Sequence, residues 1–275
     1  MRLNKRGPAR RFTLIELVVV LAILVILAAG VVAKLDVLQL RANKGVASSD
    51  MAAVSRMIQT YVVANNHYPD GFDSLLVDPD GAGATAPNAL WGQLDPQLLG
   101  TPTPNPTKLI LGGNLSDNEV RSLTRMGIST LYDADGSAAF TGFPSDGFTI
   151  KRTIAASVPV AILNSTLNGA AAPGEGDADA IMQRLYPTST PIGTPPANTR
   201  VVLFGLGPRS TIVGRDGLMQ SAPLYANSGD RTRFYARYLL AFEVSSTGSR
   251  ARFLGAFGAD ADRIDEEIQE FYEIQ

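Results

Sequence analysis

The stretch FTLIELVVVLAILVILAAGVVAKLD, residues 12 to 36, constrains this chain more than any other, because no side chain between Leu17 and Ala33 carries a charge. Counted from Phe12 the apolar run is about 22 residues, interrupted by Thr13 and Glu16, and as a helix it is long enough to cross a hydrocarbon core of about 30 Å. Arg2, Lys5, Arg6, Arg10 and Arg11 precede it, with no acid before Glu16. The positive-inside rule keeps that basic flank cytoplasmic and places everything after Lys34 outside. A secretory signal peptide also begins with positive charge and an apolar core. Here the run is long for such a core, contains an acid and continues into a helical pattern, although Ala28-Ala29-Gly30 keeps the alternative open.

Beyond the run, Leu35, Leu38, Val46, Met51, Val54, Ile58 and Tyr61 recur at spacings near three and four, with Arg41, Lys44, Asp50 and Arg56 between them. No proline lies between Pro8 and Pro69. Residues 12 to about 66 therefore read as one helix of roughly 55 residues, about 80 Å long. Its first part suits lipid, and its second lays a narrower apolar stripe on a head domain. The segment NNHYPD ends it, since Asn and the approach to proline disfavour further helix. Glu16 is the anomaly, because an ionisable group at bilayer depth costs about 2.5 to 3.5 kcal/mol. It calls for a partner.

Charge and composition narrow the function. The 275 residues carry a net charge of −2, and with the N-terminal flank so basic, the remainder is acidic. A duplex-binding head normally presents a basic patch, so nucleic acid is not an expected partner. With no cysteine, disulfides, thiolate metal sites and cysteine nucleophiles are excluded.

The residues FTLIEL after a short basic leader, followed by an apolar helix, resemble the class-III signal of type IV prepilins. The segment YVVANNHYPDGFDSLL (Tyr61 to Leu76) resembles the helix end and following loop of the major pseudopilin of type II secretion systems. Together these cover about a quarter of the chain. The resemblance implies an inner-membrane precursor with its head outside the cytoplasm. A prepilin peptidase would cut between Arg11 and Phe12, the new Phe12 amine would be N-methylated, and copies or related pilins would pack into a filament with an assembly platform and ATPase. It also implies that Glu16 neutralises the terminal amine of a neighbouring subunit, in a low-dielectric setting that strengthens the pair. Two positions depart from the family: Arg11 stands where the family has Gly, the nearest being Gly7, and Ala33 stands where many members have proline. An unprocessed, permanently anchored binding domain is the alternative that Arg11 favours.

The expected architecture is α+β and pilin-like: leader 1–11, spanning helix 12–34, amphipathic continuation 35–66 and head 67–275, the helix lying across a mainly antiparallel sheet. Within the head, DPDGAGATAPN and LGTPTPNPT are turn-rich. Ser116 and Glu119 form a capping box that starts a helix over 116–126. Strands are expected at 108–111, 148–154, 158–163, 200–206, 234–245 and 252–257. Helices are expected near 178–185 and over 260–272. The head is large for a compact major pseudopilin, which favours a minor or specialised member.

Candidate chemistry in the head is sparse. Asp133 and Asp135 in YDADGS resemble fragments of a calcium loop, as do Asp78 with Asp80 and Asp177 with Asp179, and bound calcium occurs in the resembling family. None completes the twelve-residue EF-hand pattern, and turn chemistry is the simpler account. His67 is the single histidine, expected exposed at the helix end. FGLGPRS, residues 204–210, lacks the spacing of a dinucleotide fingerprint and reads as a tight strand end. Ser210, Ser221 and Ser228 have no G-x-S-x-G setting. No resident cofactor and no enzymatic activity are expected.

Overall fold

The computed structural model describes residues 13–83, 87, 89–100, 109–137, 142–168, 176–226 and 231–273. Helix α1, Leu14–Asn65, is continuous over 52 residues. Asn66 closes it in the left-handed conformation (φ 60°), donating its backbone N–H to the Val62 carbonyl, a device that Asn tolerates better than most side chains. No described proline interrupts the ladder, so the helix needs no kink.

The head is α+β. Its strands are β1 (Phe72–Asp78), β2 (Ala89–Leu90), β3 (Ile110–Asn114), β4 (Thr130–Asp135), β5 (Phe148–Thr153), β6 (Pro159–Leu163), β7 (Thr199–Gly205), β8 (Leu239–Ser245) and β9 (Arg252–Phe257). They form one mixed sheet of nine strands with the path β3-β6-β7-β1-β4-β5, while β8 joins β7 to β9 and β2 pairs with β1. Helices α2 (Pro96–Leu99), α3 (Asp117–Thr124), α4 (Gly176–Leu185) and α5 (Ile264–Glu273) decorate it.

The central strands are buried on both faces, and alternation divides their side chains between two cores. Val202 and Phe204 of β7, with Leu240 and Phe242 of β8, enter the core beneath α1, where Ala47, Met51, Val54 and Ile58 descend from the helix. Val201 and Leu203, with Leu239 and Ala241, enter a second core with Trp91, Leu98, Phe148 and Tyr235. The helical spacing of 47, 51, 54 and 58 is what seats α1 on the sheet. Phe72 stacks on Phe204 at 6.2 Å, and Tyr68 meets Phe242 edge-on at 5.2 Å, closing the first core at the end of the helix.

Most strand expectations hold within a residue or two, and 252–257 matches β9 throughout. The expected strand over 234–245 begins only at Leu239, because Tyr235 and Arg237 are drawn into other contacts: the Tyr235 amide donates to the Gln93 carbonyl, and Arg237 donates to Ser145, Ala222 and Asp146. Strands β1 and β4 and the short elements β2 and α2 were not expected. The sheet is mixed: β1 and β4 run parallel side by side, while the other named strand pairs are antiparallel. β1 also carries an irregularity between Asp73 and Val77 in that pairing. Within it Leu75, wholly buried, has φ 65°, a conformation a branched residue adopts only when its surroundings impose it.

Candidate functional site

The first candidate is the beginning of α1. Thr13 is its N-cap, with extended backbone, and Thr13 and Glu16 make a complete capping box. The Thr13 amide and hydroxyl both donate to Glu16 Oε2, at 2.8 and 2.9 Å, and the Glu16 amide donates to Thr13 Oγ1 at 3.3 Å. Glu16 therefore has a partner within its own chain. The pattern T-x-x-E was legible in the sequence by the same rule that identified Ser116 and Glu119, a pair whose capping box is also formed. A carboxylate in the first turn is further favoured by the helix dipole. Arg11 and Phe12, the expected processing and methylation positions, lie outside the described residues.

From Leu14 to Leu27 every large apolar side chain is 51–82% exposed, and the exposure runs around the whole helix. An exposed apolar surface of this extent on a single chain marks a place for lipid or other protein. Among the described residues no helix is long and apolar enough to cross a membrane. The expected spanning segment 12–34 includes positions outside the described set, and its described apolar side chains run only to Ala29.

The calcium expectation fares differently at its two residues. Asp133 on β4 is fully buried and engages Arg152 with both oxygens, Nε to Oδ2 at 2.6 Å and Nη2 to Oδ1 at 3.1 Å. This corrects the expectation, because a guanidinium already fills the carboxylate and its charge repels a cation. Asp135 accepts from the amide and hydroxyl of Ser137, and these bonds hold its carboxyl below the usual range. Asp78 accepts from the amides of Asp80, Gly81 and Gly83, and Asp179 accepts from Ser165. The bonds of Asp135 and Asp78 are turn roles, and that of Asp179 ties α4 to the segment after β6.

His67 is exposed, its Nδ1 2.7 Å from the Tyr68 carbonyl and its ring edge-on to Tyr61. Ser210 donates to the Asp70 carbonyl, Ser221 is exposed, and Ser228 lies outside the described residues. Near the loop that follows α4 an open cleft of about 630 Å³ is lined by Tyr186, Thr188, Thr190, Pro195 and Arg252, among others. The polar groups of its wall serve each other: Tyr186 donates to Glu243 at 2.7 Å, and Arg252 pairs with the same carboxylate at 3.0 Å.

One buried acid was missed in the sequence. Asp73 on β1 is wholly inaccessible; its Oδ2 accepts from Tyr235 at 2.9 Å and its Oδ1 has no hydrogen-bond partner. Burial pushes its carboxyl up to about 8, against the opposing effects of the Tyr235 hydrogen bond and of Arg237 and Arg209. The glycines of FGLGPRS now have a reason. A Cβ on Gly205 would overlap the Tyr235 hydroxyl, and one on Gly207 would overlap the Asp73 carboxyl. Strongly shifted acids mark functional candidates when they sit in a cleft; Asp73 is sealed between β1, β7 and the segment before β8, so its role is structural.

Comparison with family models, with curated proteins and with solved structures found no match.

Proposed function

We propose that the chain is a structural, non-enzymatic subunit of a type IV pilus-like or type II secretion filament, anchored in the inner membrane through residues 12–34 and polymerising through the same helix. The observation that carries this reading is the continuity of α1. One 52-residue helix runs from a fully exposed apolar half, Leu14 to Leu27, into a half whose stripe builds the core of a folded head. Such a helix suits a subunit that must bury its first half in lipid or among the helices of its neighbours. The FTLIEL motif and its basic leader supply the rest of the argument, through their resemblance to prepilins. Copies of itself, other pilins, a prepilin peptidase, a platform and an ATPase are the implied partners.

A second reading rests on Arg11. A bulky cation where the family has glycine would block cleavage, leaving an anchored extracytoplasmic binding domain that does not polymerise. Mass spectrometry of the N-terminal peptide, from native membranes and from the sheared surface fraction, separates the two. An N-methylated Phe12 is expected for the filament subunit, and an intact leader overturns it in favour of the anchored domain.

A further inference from the structure

We infer that the C-terminal helix α5 is a strap on the flank of α1 whose docking is tightened by protons, through a surplus of carboxylates gathered around the single ammonium of Lys44. The inference stands apart from filament assembly and needs only the folded chain.

Lys44 projects from α1 and is buried. Its Nζ lies 3.8 Å from Asp262, 3.4 Å from Glu267 and in closer contact with Glu270. Asp260, Asp262 and Glu267 each place a carboxylate oxygen within 4.8 Å of the others. Three acids from α5 and the turn before it thus converge on one base from α1, with Asp260 crowding two of them. Other charged groups of the neighbourhood do not redress the balance. Arg263 turns to Asp265, Arg184 of α4 pairs with Asp265 and Glu266, and the Nε of Arg41 on α1 has no hydrogen-bond partner. Tyr225 donates to Glu267, while Tyr238, near which Arg231 also stands, donates to Asp50 of α1 at 3.4 Å.

Ile264 and Phe271 supply the apolar hold on α5, and the charge cluster sets how firmly it stays docked. Ile264 packs at the margin of the first core, and the Phe271 ring lies 3.7 Å from where a Cβ on Gly45 would stand. Ile268 and Tyr272 face solvent. Burial pushes Asp260 up to about 6. Burial and then the charge of Asp260 push Asp262 up to about 7. Glu267 is raised too, again chiefly by burial. Burial pulls the Lys44 ammonium down, but the carboxylates of Glu270, Glu267 and Asp262 outweigh it and hold the group above its usual range. Lys44 therefore stays charged while the acids titrate.

Acids whose docked-state pKa is raised bind protons more tightly when the strap is down. Their contribution is complete below about pH 4, where they are protonated docked or free, and is lost as pH rises through about 6 to 7. Above pH 7 at least two of the crowded acids must share Lys44 as full carboxylates, and like charges at this spacing repel. The strap is then at its loosest.

The test uses the full chain in detergent micelles. Because the chain has no cysteine, spin labels at Ala42→Cys on α1 and Gln269→Cys on α5, both exposed positions, report their separation by electron–electron resonance. Between pH 5 and pH 8 the ratio of separated to docked distances is expected to rise on the order of tenfold, from proton linkage at one partly exposed acid. Asp262→Asn is expected to reduce that rise, Asp260 and Glu267 still titrating, while leaving a docked population, and Lys44→Met to shift the ratio towards the separated form at pH 8. A distance distribution that does not change with pH, or an Asp262→Asn variant that keeps the full pH response, overturns the inference. Should Lys44→Met fail to fold, the Asp262→Asn comparison decides alone.

Discussion

Replacing Asp73 by Asn tests the account of the sheet centre most directly. The carboxyl is fully buried, with one hydrogen bond from Tyr235 and an unpartnered second oxygen, and burial lifts its titration to about 8 from 3.8. A raised folded-state value means that the acid favours folding only while protonated. Its contribution is fully present below about pH 4 and is lost progressively as pH climbs to about 8. At about 1.36 kcal/mol per pH unit, the span from pH 6 to pH 8 alone is worth roughly 2 to 3 kcal/mol. Asparagine is neutral throughout and lacks this slope. Its amide places a donor near the site of the unpartnered oxygen, at a cost of about 1 to 3 kcal/mol that is the same at every pH. The assay is urea denaturation of the detergent-solubilised chain at pH 5.5, 6.5, 7.5 and 8.5. The free-energy difference between wild type and Asp73→Asn should shift in the variant's favour by about 1 kcal/mol per pH unit until near pH 8. Taking the difference cancels the titration of Asp260 and Asp262, which both chains share. Two stability curves that run parallel across this range would refute the claim that Asp73 is buried as a neutral acid.

Glu16 separates a capping role from a charge role, because glutamine also completes a capping box. Glu16→Gln should keep α1 capped and inserted yet reduce incorporation into sheared filaments, as Glu16→Ala should too. Incorporation of Glu16→Gln at wild-type level would leave Glu16 only its cap. Arg152→Met strands Asp133 as a buried charge and should cost about 3 to 5 kcal/mol in chemical denaturation, with much of the loss recovered by adding Asp133→Asn. Met51→Ala, at the seat of α1 on the sheet, should cost about 2 to 5 kcal/mol by the same measurement, whereas Val63→Ala on the exposed side should cost under about 0.5.

Periodicity made α1 readable from end to end, since four buried positions at helical spacing and an absence of proline leave little else for residues 14 to 65 to form. The strands β6, β7 and β9 were readable from their β-branched and aromatic content. Strand β1 was not, because FDSLLVD places Asp73 and Ser74 inside the element, and with both faces buried no polar alternation announces it. Strand β4 disguised itself as a cation loop: the aspartate in TLYDAD that looked like a ligand is paired with Arg152, 19 residues further along the chain. Distant pairing of this kind leaves no local signature. Nor does the meeting of Lys44 with Glu267 and Glu270, which joins the middle of α1 to α5. The capping box at Thr13 and Glu16 was visible all along in four residues.

The first core is assembled from both ends of the chain. Met51 and Ile58 arrive near its beginning, while Leu240, Phe242 and Ala256 come from its last forty residues. During synthesis the helix stripe therefore meets Tyr68 and Phe72 early but waits some two hundred residues for β8 and β9 to complete its cover, and contacts this distant in sequence form slowly. A chain truncated before β8 leaves that stripe without β8 and β9 and exposes an apolar surface that sticks to other chains or draws proteases. Completion of the sheet is thus its own checkpoint: the helix is fully seated only once β8 and β9 have been made.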